Sequence, residues 1–386
     1  MESIFSQGPI FVLSLVFLLG VVVVVHELGH YWAGRLFGAA AESFSVGFGR
    51  PIFQRKDKRN TRWRVNWIPL GGFVKFVGEQ QMPGDHKRMD TGPVGRPFND
   101  LTVGQRSFVL LAGPLANFVL AILIFAGLAL AFGKPLERVI VAQVNEGGPA
   151  AAAGFLAGDV ITKIDGAEIV DNTQVRRTIA LSTGDELLIT VNRDSAELIL
   201  PVTPVRMSID NGLGQKNEIG AINVGLALER IGHQRFGLIG ALRQGTVQTG
   251  DVITTTSKML GRMVTGKEPI SQLSGPVGIG DLTRRAVTST MKAEQIPLSQ
   301  RLRLVLLNLI QICAFVSVGI GLFNLLPLPV LDGGHLVFNA YEAIMGNAVP
   351  ERVQEMALTF GLLLLFTVAV VVTWGDIVET GILGGV

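Results

Sequence analysis

The chain has 386 residues, of which 48% are hydrophobic and only 17% are charged, and its formal net charge is +2. Soluble globular proteins carry about 25% charged residues, so this composition argues against a purely soluble protein, and the small net charge argues against a nucleic-acid partner. The single cysteine, Cys313, excludes an intramolecular disulfide and a zinc site built from several thiolates. Any metal site must therefore use His, Asp or Glu ligands.

Four long apolar segments predict four transmembrane helices, because a bilayer core needs about 20 mostly apolar residues in a helix. The first segment is uncharged from Pro9 to Val25, continues into a His-Glu-Leu-Gly-His run, and is assigned to residues 1–40. A signal peptide would need a basic start and a small-residue cleavage site, and we reject that reading. The other segments are residues 107–133, 304–338 with a broken Leu-Asp-Gly-Gly stretch, and 357–379.

Residues 41–106 are predicted to form a cytoplasmic loop that contains a β-hairpin within 62–77. Two β-favouring stretches flank Gly71-Gly72, which is a hairpin signal, and Pro69 assigns the first stretch to a sheet edge. The many apolar side chains leave two readings of equal weight. The hairpin either covers basic surface, or it dips into the membrane and offers its edge to an extended substrate strand.

Residues 136–206 are predicted to be a compact α+β domain. The Gly158–Ile161 turn followed by Ile164-Asp165-Gly166 is similar to the PDZ domain. A second Gly-Asp-Val-Ile run at 250–253 lacks the strand that should follow it, so we expect one PDZ domain. The pattern around this turn predicts a strand at 139–144, a helix near 173–182, and strands at 186–192 and 197–202.

The segment 207–303 follows the predicted PDZ domain. Its residues 236–266 alternate apolar and polar positions in a helical manner, which predicts an amphipathic helix on the outer membrane surface.

Basic residues predict the orientation in the membrane. Between Arg50 and Arg64 there are seven Lys or Arg residues against one acid, Asp57, so the positive-inside rule assigns this loop to the cytoplasm. The PDZ domain and both termini are then expected outside the cytoplasm. The loop before the last span adds no support, so the orientation depends on the first loop.

His26-Glu27-Leu28-Gly29-His30 is a His-Glu-x-x-His motif. Positions i and i+4 share one face of a helix, so both imidazoles can reach one metal ion, and Glu27 can hold a metal-bound water. Three ionisable side chains at the end of an apolar helix are retained mainly for function, which disfavours a purely structural histidine pair. The apolar run before His26 spans about 25 Å at ~1.5 Å per residue, which predicts a site near the cytoplasmic side of the membrane.

A catalytic zinc site uses three protein ligands and one open position, so a third ligand is expected. Asp332 and its rival His335 lie in the run NLLPLPVLDGGH. The two prolines of this run cannot continue a regular helix, and an unwound chain at membrane depth must be buried in protein or line a water-filled cavity. Both residues are therefore candidates. The remaining histidines are His86 and His233.

Taken together, HELGH on the first span, GPLAN on the second, a PDZ domain and NLLPLPVLDGG on the third resemble the site-2 protease family of intramembrane zinc metalloproteases. The runs LGGFVKF, FND followed by VGQR, and LSGPVGI resemble its bacterial RseP-type branch, which degrades anti-sigma factors. The resemblance spans nearly the whole chain. It implies a polytopic α-helical membrane protein of about four transmembrane helices, with a membrane-associated β-hairpin and one extracytoplasmic PDZ domain. Better-known members carry two tandem PDZ domains, and the pair is thought to select substrates by size. With one PDZ domain expected here, that role is not assigned to this chain.

The resemblance also implies the roles of individual residues. His26, His30 and Asp332 would bind Zn²⁺, Glu27 would be the catalytic base, and Asn324 would help to position the substrate. The hairpin would bind the unwound substrate segment through Leu70, Gly71, Gly72, Phe73, Val74, Lys75 and Phe76.

The implied reaction is hydrolysis of a peptide bond in or near a transmembrane segment, by Glu27-assisted attack of zinc-bound water. Expected partners are the lipid bilayer and single-pass membrane substrates, either anti-sigma-factor-like proteins or signal-peptide remnants, with no nucleic acid. The expected location is the bacterial cytoplasmic (inner) membrane. A metal transporter would show intramembrane ligands on several helices and inverted repeats, which are not found. A membrane-anchored PDZ scaffold with a vestigial metal site is the alternative, and it would tolerate loss of Glu27.

Overall fold

The computed structural model describes residues 2–78, 93–169, 172–210, 216–267, 275–293 and 295–379. Its elements in chain order are α1 (Glu2–Leu36), β1 (Ala41–Lys56), β2 (Arg62–Phe76), a 3-10 helix (Phe98–Asp100), α2 (Val103–Phe132), β3 (Lys134–Val144), α3 (Pro149–Ala152), β4 (Val160–Ile164), β5 (Ala167–Glu168), α4 (Asn172–Ala180), β6 (Leu187–Arg193), β7 (Ala196–Val202), β8 (Val205–Asp210), β9 (Lys216–Ala221), β10 (Val224–Gln234), α5 (Leu238–Val264), α6 (Pro276–Met291), α7 (Leu298–Asn324), α8 (Asp332–Met345) and α9 (Glu351–Glu379).

The chain divides into two compact units. The helical unit comprises Met1–Ala126, Leu242–Thr254 and Ile270–Val386. The sheet unit comprises Gly127–Ala241 and Thr255–Pro269.

Within the described residues, four helices are long and apolar enough to cross a membrane. They fit the predicted polytopic α+β membrane protein. The third candidate span ends at Asn324, and α8 starts only at Asp332, so the chain leaves the helix over the proline-containing stretch as predicted. The four candidate spans are Val16–Leu36, Val103–Phe132, Leu298–Asn324 and Glu351–Gly375.

The predicted hairpin exists, but its turn lies elsewhere. β2 pairs with β1, and the turn between them covers 57–61, where the Asp57 carboxylate accepts hydrogen bonds from the backbone N–H groups of Arg59 (2.8 Å) and Thr61 (2.9 Å). Gly71 and Gly72 lie inside β2. The left-handed φ of 82° at Gly71 accommodates an irregularity in the strand instead of a two-residue turn. The prediction of a turn at these glycines was therefore wrong.

The sheet of the helical unit is built by two long, bent strands. Residues 41–46 pair with 72–76 on one side and with 62–65 on the other, while residues 51–56 pair with 62–66. The sheet packs on α1, where Gly34 leaves room for the ring of Phe76, because a Cβ at Gly34 would lie 2.3 Å from that ring. This close packing fixes β2 alongside the histidine-bearing part of α1.

Small residues also let the helices of this unit approach closely. A Cβ on Gly29 would lie 2.3 Å from the carbonyl oxygen of Ala112, so the backbones of α1 and α2 approach each other closely beside His30. A Cβ on Gly321 of α7 would lie 2.9 Å from the ring of Phe118 in α2. A buried cluster joins α2, α7 and the 242–254 part of α5 through Ala121, Phe125, Val252, Ala314 and Val318.

The sheet unit has a sheet with the strand order β10-β3-β4-β6-β7, and β5 pairs with β4. The apolar faces of the strands enclose one core together with α3 and α4, as expected for a half-buried antiparallel sheet. β10 lies beyond the predicted limits of 136–206, yet it pairs with β3 from Val224–Val144 to Gln234–Lys134. The limits were too narrow because strand pairing between residues 80 to 100 positions apart leaves no local signal.

Two further sequence predictions concern helix α5. The second Gly-Asp-Val-Ile run, 250–253, lies inside helix α5, so it does not form a PDZ-like strand. The predicted amphipathic helix at 236–266 corresponds to α5, Leu238–Val264. Its position on a membrane surface stays a prediction.

Candidate metal centre

Helix α1 carries the two histidines of the motif on one face. His26 and His30 are both buried, and their Nε2 atoms lie 3.1 Å apart. The spacing of four residues produces this geometry because it is close to one helical turn. The two rings meet edge to face, with centroids 4.7 Å apart.

Asp332, the first residue of α8, brings a carboxylate to the same point. Its Oδ2 lies 3.2 Å from His26 Nε2 and 3.4 Å from His30 Nε2. The two glycines that follow let α8 start close to the unwound chain. A Cβ on Gly333 would lie 2.2 Å from the Leu326 carbonyl oxygen, and one on Gly334 would lie equally close to that of Leu328.

The rival ligands do not join this group. Within the described residues, the group of His, Cys, Asp and Glu side chains that could hold a metal ion is His26, His30 and Asp332, with ligand atoms within 4.8 Å of one another. His335 instead lies edge to face with Phe338. His233 lies in β10, and His86 lies outside the described residues.

The chemistry of these three side chains fits a divalent cation. His30 Nδ1 lies 2.8 Å from the backbone carbonyl oxygen of Val109, an acceptor only, so in the neutral imidazole Nδ1 carries the proton and Nε2 presents a lone pair. Asp332 Oδ2 is buried and has no hydrogen-bond partner. Lone pairs that face one another at these distances repel unless a cation lies among them. Two imidazoles and one carboxylate are also a donor set of catalytic zinc sites.

Glu27 lies beside this group without belonging to it. The backbone N–H of Val74 in β2 donates a hydrogen bond to the Glu27 carboxylate. Gly72 makes the approach of the strand possible, because a Cβ there would lie 3.2 Å from Glu27 Cγ and 2.9 Å from the Ser45 carbonyl oxygen. The acid is therefore held between the strand and the two imidazoles.

Asn324, the last residue of α7, also reaches the centre. Its Nδ2 lies 3.3 Å from His26 Nε2. The helix ends at this residue, which leaves the amide at the boundary between α7 and the unwound stretch.

The model of peptidase family M50 matches residues 14–368 of this chain. The chain belongs to this family. The match confirms the resemblance to the site-2 protease family and the predicted enzyme class, a zinc metalloprotease.

Relatives with similar sequences span almost the same length. The Metalloprotease MmpA of Caulobacter vibrioides is 39% identical over 383 residues, which cover 95% of each chain. A protein of Agrobacterium fabrum that carries the name zinc metalloprotease is 36% identical, again over 95% of each chain. Among solved structures, the PDZ domain of an SdrC-like protein from Listeria monocytogenes is 25% identical, with a TM-score of 0.20, and the match covers 23% of this chain and 85% of that one.

The predicted substrate-binding stretch of this M50 protein divides into two groups. Gly72 and Val74 lie against Glu27. The others contact the rest of the sheet and its surroundings. The Phe73 ring stacks on Phe48 with centroids 6.2 Å apart, and Gly71 lies against the same ring. Lys75 pairs with Glu42 at 3.4 Å, Phe76 packs on Gly34 and Phe98, and the Leu70 backbone belongs to β2.

Two residues of the Gly-Pro-Leu-Ala-Asn run reach the site without having been predicted to do so. A Cβ on Gly113 would lie 2.3 Å from His30 Nε2, so only glycine leaves the imidazole in place. The Asn117 side chain lies 3.5 Å from His26 Nδ1. Their spacing of four residues places both on one face of α2, and this spacing was the signal in the sequence that could have identified them.

Proposed function

We propose that this chain is an intramembrane zinc endopeptidase that hydrolyses peptide bonds in or near transmembrane segments. One observation carries the proposal: two imidazoles of an apolar helix converge with a carboxylate, and a further acid lies beside them. The M50 family and the relatives named as metalloproteases support it.

His26, His30 and Asp332 would hold the zinc ion. When bound there, zinc would act as a Lewis acid and lower the pKa of a coordinated water toward about 7. Glu27 accepts the proton of the attacking water, since it is a carboxylate directly beside the ligands and is not one of them. The Asn324 amide can donate a hydrogen bond to the oxygen of the peptide carbonyl that develops negative charge.

The substrate must expose a backbone carbonyl, because a transmembrane helix keeps its carbonyls in internal hydrogen bonds. Strand β2 offers a place where an unwound substrate segment can bind. Residues 72–76 pair with β1, and the Val74 N–H donates to Glu27. An extended peptide added along the part of β2 that faces Glu27 would lie next to the base and the metal ligands.

The resemblance to the RseP-type branch suggests the biological substrates. These are single-pass membrane proteins, either anti-sigma-factor-like or signal-peptide remnants, in a bacterial inner membrane. The sheet unit would be a single PDZ domain outside the cytoplasm that selects substrates. The basic turn between β1 and β2 supports this orientation, because its Lys and Arg side chains favour the cytoplasmic side.

Zinc content and cleavage, measured together, test the proposal. The purified full-length chain should contain about one zinc per protein and cleave a model transmembrane peptide in micelles. A peptide with the same central sequence but charged, water-soluble flanks is the matched control, and we expect much slower cleavage of it. A chain that binds zinc and cleaves neither peptide would favour the scaffold alternative. Equal cleavage of both would contradict an intramembrane site.

A further inference from the structure

Asn117 combines complete burial with an unsatisfied side chain. It lies in α2 with 0% of its surface exposed, and its Oδ1 has no hydrogen-bond partner. Its Nδ2 lies 3.5 Å from His26 Nδ1, at the limit of a hydrogen bond. A buried amide oxygen without a donor typically costs about 1–3 kcal/mol, so this arrangement calls for a partner.

The chemistry of His26 identifies that partner. His26 Nε2 faces Asp332 and His30, so it is the atom that presents a lone pair to a metal ion. The proton of the neutral imidazole is then on Nδ1, which must donate. Asn117 Nδ2 is also a donor, so in this orientation its N–H would face the N–H of His26 Nδ1. Rotation of the Asn117 amide by 180° about its Cβ–Cγ bond exchanges nitrogen for oxygen and removes this conflict.

We infer that Asn117 is a positioning residue of the metal centre, with its Oδ1 accepting the Nδ1–H of His26. The inference rests on the proposed function, because it assigns Asn117 a role through the metal ligand His26. Asn117 would fix the tautomer and the ring orientation of His26, which is the usual task of a partner to a metal-bound histidine.

The arrangement around His30 supports this assignment. Its Nδ1 donates to the Val109 carbonyl oxygen at 2.8 Å, so each imidazole has an acceptor on the same helix, α2. The backbone of Asn117 is itself fixed, since its carbonyl oxygen accepts a hydrogen bond of 2.8 Å from Ser317 Oγ in α7. The acceptor for His30 belongs to the backbone, whereas the one for His26 can be removed by substitution.

Zinc affinity of the full-length protein tests the inference without reference to catalysis. Asn117→Leu keeps the approximate volume and removes the acceptor, so we expect the Kd for zinc, measured by competition with a fluorescent chelator, to rise about 10- to 100-fold. Asn117→Asp keeps an acceptor oxygen and should stay within about threefold of wild type or bind more tightly. Asn308→Leu is the matched control, because Asn308 lies in α7 and bonds to Thr290.

The outcomes separate this inference from the proposed function. A rise in Kd for Asn117→Leu with affinity retained in Asn117→Asp supports the hydrogen bond. An equal rise in both variants would show that packing matters and overturn the inference, as would wild-type affinity in Asn117→Leu. If the leucine variant does not fold, Asn117→Ala repeats the measurement. A wild-type chain without zinc affinity would overturn the proposed function and this inference with it.

Discussion

Asp159 in the sheet unit and Asp332 in the helical unit both bury carboxylate oxygens, and they differ in what balances the charge. Asp159 receives two hydrogen bonds of 2.7 Å from the Arg193 guanidinium and one of 2.9 Å from the Leu156 backbone N–H. The protein thus supplies a complete and permanent counter-charge. Asp332 faces two imidazole nitrogens instead.

We expect this difference to separate a structural carboxylate from a functional one. Neutral imidazoles supply lone pairs and no permanent positive charge, so we expect a cation from outside the chain to complete the Asp332 site. Removing a partner of Asp159 should therefore affect folding of the sheet unit. Removing Asp332 should affect metal binding and reaction.

The largest effect is expected for Asp332→Ala. Two imidazoles alone hold zinc weakly, so zinc content should fall well below that of wild type and cleavage of a transmembrane peptide should be abolished. His335→Ala is the matched control, because His335 lies three residues on in α8 and outside the ligand group. Loss of zinc in His335→Ala with normal zinc in Asp332→Ala would reverse our ligand assignment.

Val74→Pro should slow cleavage strongly while zinc content stays normal. Proline removes the N–H that holds Glu27 and stiffens the strand that would pair with a substrate. Because this N–H donates to Glu27, we expect the pairing of β1 with β2 to survive its loss. Cleavage rates and zinc content of the purified variant are the measurements.

Two further measurements sharpen the Val74 prediction. Val74→Ala keeps the backbone donor and should have a mild effect. Helix-destabilising residues in the substrate should partly offset the proline defect, since less binding energy is needed to hold the segment open. Equal activity of Val74→Pro and wild type would rule out strand pairing at this edge.

Arg193→Gln should have the smallest effect, confined to the sheet unit. Loss of the paired charge should lower the free energy of local unfolding, because Asp159 stays buried with fewer donors. Hydrogen exchange of β4 and β6 amides in the full-length chain measures this, with zinc content unchanged. Altered zinc content with unchanged exchange would contradict the comparison.

The effect of Arg193→Gln should also depend on pH. Burial raises the pKa of the Asp159 carboxyl, but its hydrogen bonds with Arg193 and Leu156 outweigh burial and hold the pKa below its usual range. The stabilisation is therefore present above the unfolded pKa of about 3.9 and is lost as the pH falls through the lower folded value. Exchange rates corrected for intrinsic pH dependence should converge for variant and wild type only in that acidic range.

Local patterns account for what the sequence predicted well. The four-residue spacing of His26 and His30 follows from helical periodicity, and the prolines before Asp332 mark a break that the structure contains. The apolar runs predicted four spans for the same reason. These features depend on neighbours within one or two helical turns.

Features that depend on distant pairing were missed. In β1, Phe44, Val46 and Phe48 alternate with polar or small residues, but this alternation does not say which strand is the partner, and the turn was assigned to Gly71 instead of 57–61. β10 joins its sheet from outside the predicted limits. Asn117 was part of a recognised motif, but its approach to His26 depends on the packing of α2 against α1 at Gly29.

Glu27→Gln tests the central claim most directly, namely that Glu27 is the base beside a three-residue metal site and not one of its ligands. The substitution keeps the shape of the side chain and removes its ability to accept a proton. Purified Glu27→Gln should hold as much zinc as wild type, while cleavage of a transmembrane peptide falls by about 10²- to 10⁴-fold. Cleavage at a rate comparable to wild type, or loss of zinc, would contradict the account.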